Sequence, residues 1–298
     1  MSLNIPDHYT ISFSTNIMLL LQQKGSKLRG TVTEGSYTGK QASPVDQIGK
    51  VEMSQVVGRF QPMERTDAAV DRRWVYPTDY DIKQSIDTFD KLRLLTDPES
   101  SYTQNAVFAA GRKIDTAILQ ATTATAKTGE QGATSTSFTA GNEVDVAVGG
   151  ANSRLNVAKL LEVKEKMQAN FVDFDMEEIY CPMTAKDNSS LLNEVQIISS
   201  DFNGGDKPVL KEGRVDRFLG INFVHCELTE TVMAGTNEVT VPVYTKSGMH
   251  LGMWNDIQTE IFRDFTLRGV PWASYVLVSM GATRIEENKV YAIESYRA

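Results

Sequence analysis

An α+β protein with mixed or mainly antiparallel sheets is what this sequence predicts. Two segments carry capped helical periodicity, one near 97–122 and one from Asn156 onward. Short alternating or β-branched runs read as strands through most of the remainder. Between about 30 and 72, closely spaced glycines and prolines leave no room for a helix longer than two turns.

Residues 1–30 read as an arm. Ile11, Phe13, Ile17, Met18, Leu19 and Leu20 are apolar, yet no capped helix or clear strand contains them all. An arm with so many apolar side chains needs a surface to lie on. Residues 31–72 follow with Gly35, Pro44, Gly49, Gly58 and Pro62. Between these breakers run short extended pieces, and 50–57 alternates like a strand. The stretch has too few large apolar groups to make a core of its own. A projecting hairpin ordered by a partner is expected, with disorder as the alternative.

Arg73-Trp74-Val75-Tyr76, then Tyr80, Ile82 and Ile86, read as strands broken at Pro77. The first helix opens at Asp97-Pro98-Glu99, where Asp97 suits the cap, Pro98 the first helical position and Glu99 the positive helix end. Ala106, Ala110, Ile114, Ala117, Ile118 and Ala121 give it a small-residue face suited to close packing. Residues 122–150 read as a surface loop with a short strand at 144–148. Asn156 then caps a second helix, with Leu155 and Leu160 as a hydrophobic staple. Leu160, Val163 and Met167 should be buried, and Lys159, Glu162, Lys164, Glu165 and Lys166 should stay in water. A strand at 178–182 feeds a helix at 184–190, and strands follow at 221–226, 239–245 and 249–254. The clearest expected hairpin closes the chain, 272–284 paired with 290–295 across Glu286-Glu287-Asn288.

At 298 residues the chain can hold one large domain or two interleaved ones. No apolar run approaches the roughly 18 residues a membrane span needs, and no secretory pattern opens the chain. Synthesis in the cytoplasm without a membrane partner is therefore expected. A net charge of −8 and scattered lysines argue against binding nucleic acid through its phosphates. Cys181 and Cys226, each inside an apolar stretch, read as two buried reduced thiols.

The search for chemistry is negative. His8, His225 and His250 show no zinc-site spacing, and His225 and Cys226 would point to opposite faces of a strand. There is no phosphate loop, no dinucleotide fingerprint and no nucleophile elbow. Asp173 to Glu178 is acidic but lacks the spacing and glycine of a calcium loop, so a solvated acidic turn is expected. No catalytic residue, cofactor or metal site is expected.

The order of parts carries more information than any motif. It runs arm, extended region, strands, alanine-faced helix, a strand–helix–strand region and a closing strand pair. Gly111-Arg112-Lys113-Ile114-Asp115, Ile179-Tyr180-Cys181-Pro182, Phe218-Leu219-Gly220-Ile221 and Gly281-Ala282-Thr283-Arg284 with Val290-Tyr291-Ala292-Ile293 stand in that order. This arrangement resembles the major capsid proteins of tailed bacteriophages, which share the Hong Kong 97 phage fold. The resemblance implies an N-terminal arm at 1–30 and an extended loop at 31–72. It also implies a peripheral domain at 73–150 and 266–298 with a spine helix near 97–122, and an axial domain at 151–265. It further implies hexamers and pentamers closing an icosahedral shell around double-stranded DNA, which is held without sequence-specific binding. Mild acidity suits a wall around a polyanion.

Phe13, Lys27, Arg29, Lys40, Lys50, Met53, Val56 and Arg59, on the arm and extended region, are the candidate inter-subunit contacts. The family's lysine–asparagine cross-link has no counterpart that can be mapped here. The chain starts almost directly at the arm, so a separate scaffolding protein is expected, along with a portal and in some cases a decoration protein. The alternatives are an encapsulin-like nanocompartment shell, which would load an enzyme cargo, and a tail or decoration protein that forms no shell.

Overall fold

The computed structural model describes residues 22–43, 45–55, 58, 65–86, 99–149, 152–194, 197 and 213–297. Its frame is one long helix, α1 (Glu99–Thr123), lying on the first of three sheets. With 25 residues, α1 is about 37 Å long. The expected stripe is the buried one, since Ala106, Ala110, Ile114, Ile118 and Ala121 are all buried. The expected cap at Asp97 lies outside the described residues.

The first sheet has the order β1 (Thr33–Ser36), β12 (Met249–Arg263), β13 (Trp272–Arg284), β4 (Thr78–Ile86). Val276, Val278 and Met280 share one face of β13, as a period of two requires, and form one core with the α1 stripe. β12 is buried from Met249 to Met253 and becomes exposed beyond, and its pairing with β13 shifts register on either side of Asn255. Such irregularities bend and twist a strand pair. Here they mark the point where the β12–β13 hairpin leaves the body.

The second sheet has the order β7 (Glu143–Val144), β14 (Val290–Tyr296), β11 (Glu238–Thr245), β8 (Ile179–Met183), β10 (Ile221–His225), β9 (Arg217–Phe218). Helices α2 (Val157–Ala169) and α3 (Ala185–Leu192) accompany it. Leu160, Val163 and Met167 of α2 join Val241, Val243 and Ile293 in a second core. Asn156 caps α2 by accepting the Lys159 backbone N–H at 2.8 Å, and the staple partners Leu155 and Leu160 are both fully buried. Thr184 caps α3 through a capping box with Asp187. A short helix, α4 (Leu228–Val232), sits against α1. The third sheet, β2 (Asp46–Ile48), β3 (Val70–Trp74), β5 (Ala126–Thr128), β6 (Thr134–Thr136), carries the start and return of the extended region.

Several expectations need correction. The closing hairpin does not form: β13 lies in the first sheet, while β14 pairs antiparallel with β11 in the second. The chain leaves the first sheet because the Ile285 N–H donates to Gly248 O at 2.8 Å, which turns it across toward the second. The hairpin that does form is β12–β13, whose turn has Gly269 and Val270 at positive φ. For the same reason a division at residue 265 does not follow the sheets, because the chain crosses between them at 246–248 and again at 285–289. Of the strand expected at 144–148 only Val144 is in one, the two-residue β7 (Glu143–Val144).

Residues 50–55 form no strand, because the β2–β3 ladder ends where the Gly49 N–H donates to Ala69 O. Lys159 is fully buried rather than in water: its ammonium donates to Ser153 O at 2.6 Å and Glu294 O at 2.8 Å. His250 is buried between Thr33 and Tyr37. Cys181 and Cys226 are buried and free of any disulfide.

Candidate assembly surfaces

The base of the extended region is firmly held. Ala42 and Val75 exchange backbone hydrogen bonds of 3.0 and 2.9 Å. Arg72 forks onto the Asp46 carboxylate at 2.5 and 2.9 Å, pairing β3 with β2. The guanidinium beside it holds the Asp46 carboxyl below the usual range. Trp74 donates its indole N–H to Gly129 O at 2.7 Å, so β3 is also keyed to the turn after β5. At the end of this base and just past it, Ile48, Val51, Met53 and Val70 are all exposed, Met53 completely. Four apolar side chains on a segment with no core are what a surface covered by another molecule presents.

A second exposed apolar group sits at the free end of the β12–β13 hairpin, comprising Ile261, Phe262, Phe265 and Leu267. The turn that displays it is braced rather than loose. Asp264 accepts from Lys83 and from the Thr266 backbone and hydroxyl. Those contacts, Lys83 first, hold its carboxyl down to about 2. Arg263 stacks over Trp272 at 4.7 Å.

A third is Phe171, 91% exposed, just past α2. The Val172 N–H returns to Met167 O and the Phe171 N–H to Gln168 O, both at 3.0 Å. That pattern places Phe171 at the position where a helix usually has glycine, and its φ is 62°. Its ring gives the folded subunit little in return for this backbone strain. Phe171→Gly is expected to raise subunit stability by about 1 kcal/mol. Urea denaturation of the unassembled subunit checks it; a lowered midpoint would show that the ring supports the fold.

The predicted contact residues divide. Phe13, Val56 and Arg59 lie outside the described residues. Met53 and Lys40 are exposed, and Lys50 pairs with its neighbour Glu52 at 3.0 Å. Lys27 and Arg29 have partners in their own chain. The Lys27 ammonium donates to His225 O at 2.9 Å. Arg29 bridges Glu34 and Asp256, the latter in a fork of 2.9 and 3.0 Å that raises its pKa further. Sequence reasoning missed Ile48, Val70, Phe171, Phe265 and Leu267. The available signal was large apolar residues inside turn-rich stretches, where no local core can hold them.

A cleft of about 920 Å³ opens between the base of the extended region and the body, lined by Tyr37, Ile48, Val70, His250, Ile285 and Lys289. His250 accepts or donates through Nδ1 to Thr33 and through Nε2 to Tyr37, each at 2.9 Å, and burial pushes its pKa down to about 4. Lys289 pairs with Glu177 at 2.6 Å, and Ser247 donates to the same carboxylate at 2.7 Å. Glu178 pairs with Lys246. The acidic run at 173–178 is therefore partly tied down rather than wholly solvated. Among the described residues, no group of three or more metal-ligating side chains converges, and no helix is long and apolar enough to cross a membrane.

Comparison with known proteins gives a consistent result. A family model described as phage capsid protein matches residues 5–296. The capsid of cyanophage Pam1 superposes with a TM-score of 0.74 at 12% identity, covering 100% of this chain and 99% of that one. The capsid of cyanophage P-SCSP1u gives 0.73 at 16% identity, with 97% and 93% covered. The head of Helicobacter pylori bacteriophage KHP40 gives 0.71 at 11%, with 99% and 98% covered. No curated protein matches the chain. The fold is thus the Hong Kong 97-like capsid fold that the order of parts resembles, and the chain belongs to the phage capsid protein family.

Proposed function

We propose that this chain is the major capsid protein of a tailed phage, assembling as hexamers and pentamers into an icosahedral shell around double-stranded DNA. The observation that carries the reading is the extended region: a rigidly keyed base supports exposed Ile48, Val51, Met53 and Val70, which lack a core of their own. Lying across a neighbouring subunit would remove that apolar surface from water, and a closed shell leaves no unsatisfied copy of it. The role is structural, with no catalysis. The site of action is the virion, with assembly in the host cytoplasm.

Under this reading α1 is the spine helix, the first sheet belongs to the peripheral domain and the second to the axial domain. The arm expected at 1–30 includes residues 22–28, which are bound against α1. The extended loop effectively begins after Ser36, since Thr33–Ser36 pair with β12 in the body. A separate scaffolding protein and a portal complete the assembly partners, with a decoration protein where the shell needs reinforcement. The packaged DNA is enclosed without sequence-specific contact, in keeping with the charge of −8.

The test uses the close approach of Gly49 and Ala69. Replacing 50–68 by Asn-Gly should leave a folded subunit, because the described residues of that segment belong to neither core, and should abolish shells. Shells of normal yield from this variant would remove the loop from the account.

A further inference from the structure

Gly111 lies in the interior of α1, where glycine costs a helix about 1 kcal/mol relative to alanine. The surroundings explain it. A Cβ at this position would come within 2.5 Å of the Gly25 carbonyl carbon and 2.7 Å of the Ser26 nitrogen. The segment at Gly25-Ser26 therefore runs directly against the helix backbone. Gly25 supplies the turn this needs, with φ at 72°.

One turn along, Asp115 is fully buried and faces the same segment. Its carboxylate accepts from the Ser26 hydroxyl at 2.5 Å, the Lys27 N–H at 2.9 Å and the Leu28 N–H at 3.0 Å. The Gln23 side-chain amide donates to it as well. Arg112 grips the other end, donating to Gln22 Oε1 at 2.7 Å and Gln23 O at 3.3 Å, while Gln22 donates to Asn105 Oδ1 at 3.0 Å. Leu28, the next residue inward, is fully buried in the α1 core. A buried carboxylate that accepts several donors, backbone N–H groups among them, fixes a chain path more firmly than apolar contact does.

We propose that Gly111, Arg112 and Asp115 are positioning residues for assembly: a notch, a clamp and a buried carboxylate that fix the path of residues 22–28 along the helix. They act on the path of the chain. The consequence for assembly rests on the shell-subunit reading; the clamp itself does not.

The test is hydrogen–deuterium exchange on unassembled full-length subunits, together with shell yield, for Gly111→Ala and Asp115→Asn. Alanine favours the helix, so Gly111→Ala should keep 103–121 protected. Exchange at 23–31 should accelerate about tenfold or more, and shell yield should fall. Asp115→Asn keeps the size and should give the same pattern. Unchanged exchange at 23–31 in both variants would overturn the clamp. Faster exchange there with wild-type shell yield would overturn its role in assembly. Loss of protection along the helix in both variants would show core packing instead, and would overturn the positioning role too. Failure of the wild-type chain to form shells under any condition would sink the shell reading, and the exchange data would still decide the clamp.

Discussion

Arg284→Met is expected to destabilise the unassembled subunit by about 3–5 kcal/mol, the range found when one partner of a buried ion pair is removed. Arg284 is fully buried at the end of β13. Its Nη1 donates to Thr122 O at 2.8 Å and Ala124 O at 2.9 Å, so it caps the C-terminal end of α1, where unpaired carbonyls and the helix dipole both favour a cation. Its Nε donates to Glu287 at 2.7 Å, and the guanidinium lies over the Phe138 ring at 5.2 Å. Glu287 also faces Arg73 at 3.3 Å, on the strand that returns from the extended region. Methionine would fill much of the volume but strand the two carbonyls and leave the Glu287 carboxylate with Arg73 alone among these cations. Arg284→Lys should recover only part of the loss, because an ammonium cannot reproduce the planar fork. Chemical denaturation of both variants checks this. A loss below about 1 kcal/mol for Arg284→Met would mean that water replaces the cap at little cost.

Lys159 gives the second large effect, and it depends on pH. Lys159→Ala should cost about 3 kcal/mol, since it opens a cavity in the second core and removes the ammonium from the carbonyls of Ser153, which keeps the Tyr296 N–H, and Glu294. Burial, opposed by Asp187, Asp145, Glu294 and Glu238, lowers the Lys159 pKa from 10.5 to about 8. Between those values the unfolded chain binds more protons than the folded one, so stability rises with pH across that window. The penalty for burying the charge is complete below pH 8 and lifts as pH approaches 10.5. Lys159→Met removes this dependence. The stability difference between wild type and Lys159→Met should therefore move in favour of wild type from pH 8 to 10. A difference that stays flat over that range would show that the folded lysine does not lose its proton there.

The sequence discloses the elements better than their partners. The alanine stripe of α1, the Asn156 cap with its staple and the Thr184 start of α3 all follow from local periodicity and capping, which short windows contain. The failed hairpin shows the limit. Strands 272–284 and 290–296 are adjacent in sequence and each strongly patterned, but their separation depends on Arg284 reaching the end of α1 and on Ile285 bonding to Gly248. Those are contacts between distant segments. Lys159 was misplaced for a related reason: a lysine at the third helical position ordinarily reaches solvent, and only the later arrival of β14 closes over it.

The candidate surfaces were half legible. Met53 is readable as an apolar residue in a coreless stretch, whereas for Lys27 and Arg29 charge says nothing about whether a partner lies in the same chain, as one does for each. The Arg112–Asp115 pair was visible as a motif, but its use, holding the segment at 22–28, appears only when the helix and that segment are brought together.

The most direct test of the shell reading is negative-stain electron microscopy of the expressed full-length chain, alone and with the neighbouring phage genes co-expressed. Closed icosahedral particles in at least one condition are the expected result, and DNA or an enzyme cargo inside them separates a capsid from a nanocompartment. A monodisperse small oligomer in every condition would contradict the account and point to a tail or decoration role.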